Sequence, residues 1–292
     1  MQKVIYINAY GESIEFSAQP PVLLRSVSGF SGAEASAVSA QGAYQSGVTL
    51  MRLQLPARRV QVQFDILPQA NREAFYAQRM RIERVLSPGR SMRGGKTGML
   101  LYQNDAGRWQ IGAVPDGGVV YGKRVCHASA ENKVSFLCPN PMLMSEQPLS
   151  AQLRMGAGGF ELPTALPIRL GSRRFSTAVR NEGTADTPVT VTIYGTGEAP
   201  ALVNHTTGAR LAVTRIISQG ERLVIQTDPR ELSCVLIRQN GETEDAFGYL
   251  DPSAAVSAFL LAPGVNELEY RPSVASAGSR VEIEWRSCYE GV

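Results

Sequence analysis

From Val60 to Ile66 the chain reads Val-Gln-Val-Gln-Phe-Asp-Ile, with an apolar side chain at every second position. Successive side chains of a strand point to opposite faces, so only an extended segment can bury Val60, Val62, Phe64 and Ile66 together. The same period returns near the far end. Within Arg280–Trp285, Val281, Ile283 and Trp285 share one face and Glu282 and Glu284 the other, which makes Trp285 a core anchor. Elsewhere in the chain, short apolar stretches are cut by turn signals such as Tyr10-Gly11-Glu12, Asn181-Glu182-Gly183, Gln219-Gly220 and Asn240-Gly241. The 28 glycines and 17 prolines supply turns throughout. The chain is therefore expected to be mainly β.

One helix is expected, over residues 71–86. That stretch has no Gly or Pro, and it places Phe75, Ile82, Val85 and Leu86 on one side. Ser87-Pro88-Gly89 stops it. In the front half strands are expected at 3–7, 13–17, 99–103, 109–113, 119–124 and 133–138, besides Val60–Ile66. The Ser-, Gly- and Ala-rich residues 26–47 read as a mobile loop, followed by an alternating segment at 48–55. Gly89–Gly98 reads as a flexible basic loop. Residues 142–159, with Gly156-Ala157-Gly158-Gly159, read as a linker. The back half reads as evenly spaced strands of a sandwich or jelly roll, at 175–179, 189–194, 210–217, 222–226, 234–238, 257–261, 267–270 and 280–285. The expected organisation is thus an N-terminal β-rich domain with one helix at 1–141, the linker, and a C-terminal β-sandwich at 160–292.

With 292 residues the chain is long enough for two domains. Its net charge is only +3, which does not mark a nucleic-acid binder. The charge is uneven, with 16 Lys+Arg against 10 Asp+Glu in residues 1–150 and 13 against 16 in residues 151–292. Basic residues are almost all arginine, 25 against 4 lysines, and arginine suits multidentate contacts at interfaces. No stretch approaches the roughly 18 apolar residues that span a bilayer, so no membrane insertion is expected. The opening Met-Gln-Lys-Val-Ile-Tyr-Ile-Asn alternates instead of forming the apolar run of a secretory signal, and synthesis in a cytoplasm without export is expected. Cys126, Cys138, Cys234 and Cys288 are scattered, with no paired metal-ligand spacing. They are read as buried or half-buried thiols, and neither metal nor cofactor is expected.

Catalytic motifs fail on inspection. Gly89-Arg-Ser-Met-Arg-Gly-Gly-Lys-Thr97 suggests a phosphate loop, but five residues separate Gly89 from Gly95-Lys96-Thr97 where four are required, and the helix precedes the loop instead of following it. Lys96-Thr97-Gly98 lacks the serine nucleophile of the β-lactamase set, and Gly29-Phe30-Ser31-Gly32-Ala33 misses the last glycine of a hydrolase elbow. Cys126 and His127 are neighbours on an expected strand and would face apart. His205 falls in a turn, and no carboxylate pair is marked as a glycosidase would require. No catalytic residue is expected.

The order of these features resembles the distal tail protein family of long-tailed bacteriophages, whose members are siphovirus-type tail components. The resemblance runs through Arg58-Arg59 opening the strand at 60, the helix and its Ser87-Pro88-Gly89 break, and Val134–Cys138 running into Asn140-Pro141. It continues through Asn181-Glu182-Gly183, Thr187-Pro188, Gly195, Asn204 with Thr206-Thr207-Gly208, Gly220-Glu221, Asp228, Phe259, Leu261, Ala262-Pro263-Gly264-Val265-Asn266 and Val281–Trp285. It implies a structural, non-enzymatic part of the virion, assembled in the bacterial host cytoplasm. N-terminal domains would form a ring, usually of six copies, and C-terminal galectin-like sandwiches would project outward. The ring would join the tail tube protein above to a tail hub protein below and carry receptor-binding proteins, with DNA passing through unbound. Arg90, Arg93 and Lys96 of the basic loop are the expected interface residues, and deleting that loop is expected to impair assembly while each domain still folds. With no long insertion in residues 160–292, direct host recognition is not expected. The competing reading is a carbohydrate-binding module using exposed rings such as Tyr194 or Tyr249, and an enzyme ranks last.

Overall fold

The computed structural model describes residues 2–154, 175–195, 197–272, 274–275 and 279–292. The chain forms two compact units, Met1–Glu146 with Tyr289–Val292, and Gln147–Cys288. The stretch expected to be a linker contains two strands among its described residues. Leu143–Ser145 belongs to the first unit, where Met144 and Ser145 pair with Gln110 and Trp109. Leu149–Arg154 belongs to the second, running opposite Arg280–Trp285 from Leu149↔Trp285 to Arg154↔Arg280. Strand partners so distant along the chain leave no local periodic signal, which is why these residues read as linker. Gly156–Gly159 and residues 160–174 lie outside the described residues.

In the first unit a seven-strand path runs Ser13–Phe16, Lys3–Ile7, Lys96–Gln103, Arg108–Pro115, Ala128–Cys138, Arg58–Ile66, Val22–Ser28. Its two ends meet, because Ser17 bridges Leu23 and the Leu24 amide donates to the Ser17 carbonyl at 2.7 Å. The sheet therefore curls on itself around a core that includes Tyr6, Phe16, Phe64, Leu100, Ile111 and Phe136. The helix Arg72–Val85 closes one side of this core. Asn71 caps it, accepting from the Ala74 amide at 2.8 Å, and Phe75, Ile82, Val85 and Leu86 are buried as their spacing demands.

Two expected loops are ordered hairpins. Residues 26–47 begin with the end of Val22–Ser28, and Ser36–Ala40 then pairs with Thr49–Gln54 in a two-stranded sheet of its own. This arm prolongs the hairpin made by Val22–Ser28 and Arg58–Ile66. Every residue of Thr49–Gln54 is exposed, so no buried face imposed a period that sequence could reveal. The basic loop is tighter still. Met92–Arg93 pairs with the start of Lys96–Gln103, and Gly94 and Gly95 make the turn at φ +56° and +78°, a conformation that favours glycine. Conversely, the strand expected at 119–124 is reduced to a bridge from Val120 to Lys133 and the start of a two-residue strand, Arg124–Val125, that pairs with Ala128 and Ser129.

Two antiparallel sheets enclose the core of the second unit. The first follows Leu149–Arg154, Arg280–Trp285, Thr187–Tyr194, Arg222–Gln226, Ser233–Ile237, Thr243–Asp245. The second follows Phe175–Asn181, Gly264–Arg271, Ala201–Asn204, Arg210–Ala212. Val191, Ile193, Leu223 and Ile283 from one pack with Leu202, Leu211, Leu268 and Tyr270 from the other. Trp285 is in this core, as expected. The strand expected at 210–217 stops at Ala212, and Val256–Ala258 is a 3₁₀ turn ahead of Leu260–Leu261.

Candidate functional site

The features that could act on another molecule lie in the first unit: the arm, the basic hairpin, and a groove beside the helix. The foot of the arm is fixed by an arginine. Strand alternation puts Arg58 in phase with Val60, Val62 and Phe64, and its side chain points inward, 7% exposed. It faces no carboxylate. Its Nε donates to the Pro141 carbonyl at 2.7 Å, Nη1 to those of Gly29 and Ser31, each at 2.6 Å, and Nη2 to that of Glu290. Gly29 and Ser31 are where the arm leaves the sheet. A Cβ on Gly29, at φ +99°, would sit 2.1 Å from the Arg59 carbonyl oxygen, so only glycine fits. The last residues of the chain lie on the same foot. Tyr289 packs edge-on against Trp109 at 6.2 Å, and the Val292 amide donates to the Phe30 carbonyl at 2.9 Å. Arg59, one residue on, points outward to Asp116 at 3.1 Å.

The expected interface residues are split by the fold. Arg90 is engaged, donating to Glu12 at 3.0 Å and lying 5.4 Å from the centre of the Tyr10 ring. Arg93 lies over the same ring at 5.2 Å, and across the glycine turn it is paired with Lys96, whose side chain is exposed. Glu12 is the hub of this cluster. Hydrogen bonds from Arg84, then from Asn8, hold its carboxyl at about 2. Sequence reasoning missed Tyr10 and Glu12, which read as ordinary turn residues. Other arginines are also stacked on rings: Arg79 over Tyr121 at 3.8 Å, and Arg124 over Tyr76 at 5.4 Å with a 2.9 Å bond to its hydroxyl. Between the helix and the Glu12–Ser13 turn lies an open groove of about 690 Å³, with Ala77, Met80 and Val85 on its wall and Arg81 at its rim. Met80 is 72% exposed.

The second unit offers less. Tyr194 bonds Glu282 at 3.0 Å and Arg280 covers its ring at 3.8 Å. Tyr249 bonds Glu244 at 2.8 Å beneath Arg215 at 4.3 Å. Each ring thus has one face already taken. The turn residues that carried the resemblance are structural. Asn181 donates to the carbonyls of Ala185 and Leu261, Asn204 to that of Leu260 and to Asn266, and Asn266 to that of Ala262 at 2.7 Å. A Cβ on Gly183 would meet the Cys288 carbonyl oxygen at 2.0 Å, and one on Gly195 the Ser218 oxygen at 1.7 Å. These positions knit turns whose buried amides and carbonyls need partners.

The model of the siphovirus-type tail component, C-terminal domain, matches residues 182–289. The match covers most of the second unit. The buried asparagine turns all fall in or beside the matched stretch. The whole chain also shares a fold with solved structures. It aligns with a crystal structure of the SPP1 Dit (gp 19.1) protein, described as a paradigm of the hub adsorption apparatus in phages infecting Gram-positive bacteria, at TM-score 0.66 and 14% identity over 99% of each chain. It aligns with a chain of the phage p2 baseplate in its activated conformation with Sr at TM-score 0.53 and 12% identity, over 100% of this chain and 99% of that one. The Ca form gives TM-score 0.51 at 11% identity, with the same shares. No curated protein matches by sequence.

Among the described residues, no helix is long and apolar enough to cross a membrane, and no group of three His, Cys, Asp or Glu could hold a metal. Cys126 and His127 sit at a turn, not on a strand. Cys126 is exposed at φ 51°, while the His127 Nδ1 is buried without a hydrogen-bond partner. The expectation of buried or half-buried thiols fails at Cys126 because this turn has no core beneath it. It holds for Cys138 and Cys234, each pushed up to about 12 by burial, and for Cys288, also raised.

Two ion pairs set an acid limit. Glu269, nearly buried between Arg271 and His205, is held at about 2, chiefly by the bond from Arg271. Both Glu12 and Glu269 ordinarily titrate near 4.5. A carboxylate with a depressed folded-state pKa stabilises fully above its unfolded value and loses that contribution as pH falls through the folded one. Melting temperature is therefore expected to drop between pH 4.5 and 2. Glu12→Gln and Glu269→Gln should each melt lower than wild type at pH 7 and show a shallower acid limb. Thermal melts across that window check this, and limbs parallel to wild type would show that these pairs are not responsible.

Proposed function

We propose that this protein is a structural, non-enzymatic ring component at the tip of a phage tail, working in the virion after assembly in the host cytoplasm. Its first unit closes the ring, six copies being the expected number. The ring joins the tail tube to a hub protein, and the second unit faces outward where receptor-binding proteins attach. DNA passes through the ring without specific contacts. The observation that carries this reading is the arm. A lone two-stranded hairpin is marginal in water, and this one holds Leu50, Met51 and Leu53 at 57%, 69% and 64% exposure, with Arg52 as the single charged residue on its two strands to guard their open edges. Such a segment is built to be covered by another chain. The family match in the second unit and the whole-chain likeness in fold support the same reading.

The basic hairpin supports it in a narrower way. Arg90 is held by Glu12, so Arg93 and Lys96 are the cations left to meet a neighbour. The test is the mass of the purified protein by light scattering, with negative-stain imaging. Closed rings of about six copies are expected. A single-copy mass at every concentration and salt tried would overturn the proposal.

A further inference from the structure

The ring reading leaves open which surfaces meet. Two unpartnered surfaces of the first unit match each other in chemistry and size, and resting on that reading we infer that the arm of one copy seats in the helix groove of the next.

The arm is apolar and close to neutral. Residues 31–57 carry one acid, Glu34, and one base, Arg52, while Val48, Leu50, Met51 and Leu53 stand in solvent. The groove wall of Ala77, Met80 and Val85 is apolar too, and an exposed Met adapts to an irregular partner. The dimensions agree. Ala77 to Val85 spans about 12 Å of helix at the usual rise, and Leu50 to Leu53 spans about 10 Å of strand. The backbone also fits. Each arm strand has one edge with unpaired carbonyls, and Arg81 at the rim, with no ion-pair partner among the described residues, brings guanidinium donors to them.

The two surfaces do not meet within one copy. All of Thr49–Gln54 is exposed, and Arg58 fixes the arm's foot. Arm and groove are different patches, so their contact is head-to-tail, the kind that closes a ring with one repeated interface.

Disulfide trapping between two different copies tests this. One copy carries Leu50→Cys and the other Ala77→Cys, both with Cys126→Ser because Cys126 is the exposed native thiol. The two are mixed, assembled and oxidised. All three positions are exposed, so the substitutions leave the fold intact. A mixed Leu50→Cys/Ala77→Cys dimer as the dominant band is expected, and Met80→Glu should raise the concentration for half-assembly at least tenfold. Oligomers of full mass with no mixed band would overturn the inference while the ring reading stands. Bands only between two Leu50→Cys copies would do the same, placing arm on arm. A mixture that stays monomeric overturns both.

Discussion

Replacing residues 36–54 with an Asn-Gly turn is expected to leave a folded protein that no longer forms rings. None of these residues is buried, and the core of the first unit holds none of them. Removing them takes no apolar surface out of that core. Shortening a loop changes closure entropy by only about 0.6 kcal/mol per halving, so the melting temperature should stay within roughly 2 °C. Assembly is another matter. Four large apolar side chains, at about 1.5–3 kcal/mol each when fully buried, make up most of what the arm can bring to an interface. Losing even half of that raises a dissociation constant by roughly a hundredfold or more. Light scattering should show a single-copy mass where wild type gives a multiple. Rings of unchanged size from the armless variant would remove the arm from the interface altogether.

The arm was also the element least legible from sequence, for the same physical reason that it matters. Val60–Ile66 and Arg280–Trp285 could be read from period alone because one face of each is buried. The helix could be read because Asn71 caps it and Pro88-Gly89 follows it. A hairpin exposed on both faces has no such asymmetry, and its Ser, Ala and Gly content imitates a loop. Leu149–Arg154 was hidden differently, since its strand partner lies about 130 residues away and nothing nearby reports the pairing. Ala201–Asn204 and Thr243–Asp245 are too short to show a period.

The candidate site was partly visible. Arg90, Arg93 and Lys96 could be chosen as basic residues in a glycine-rich turn. That Glu12 would hold Arg90 while leaving Arg93 and Lys96 outward could not be known without the fold, because Glu12 is 78 residues from Arg90. Met80 gave no signal either. It sits on the polar side of an amphipathic helix, where one apolar residue is unremarkable until a groove is found beneath it. The family resemblance rested on turn residues, and the structure explains why such residues form a recognisable series. Asn181, Asn204 and Asn266 are buried amides that satisfy backbone groups at sheet ends, and Gly183 and Gly195 stand where any side chain would strike a carbonyl. They report the fold of the second unit and say little of what it touches.

Arg58 is the residue whose signal was present and could have been followed. Two residues before Val60, it lies in phase with the buried face of its strand, so period-2 logic alone places a guanidinium in the core. A buried cation without a carboxylate needs carbonyl partners, and it has four, from Gly29, Ser31, Pro141 and Glu290. Arg58→Met keeps much of the volume and strips all four. Each buried carbonyl left without a donor costs about 1–3 kcal/mol, less where water reaches it, so a loss of roughly 3–5 kcal/mol is expected for the first unit. For a body of this size that lowers its melting temperature by roughly 10 °C. Arg58→Lys should recover less than half, because one ammonium cannot span acceptors that the planar fork reaches together. Arg59→Met, at the neighbouring exposed ion pair, should change stability by less than about 1 kcal/mol. Calorimetry of the three variants decides the matter. Equal losses at 58 and 59 would mean the carbonyl cage contributes nothing. A loss at 58 alone, with ring formation falling alongside it, would show that the arm works only while its foot is held.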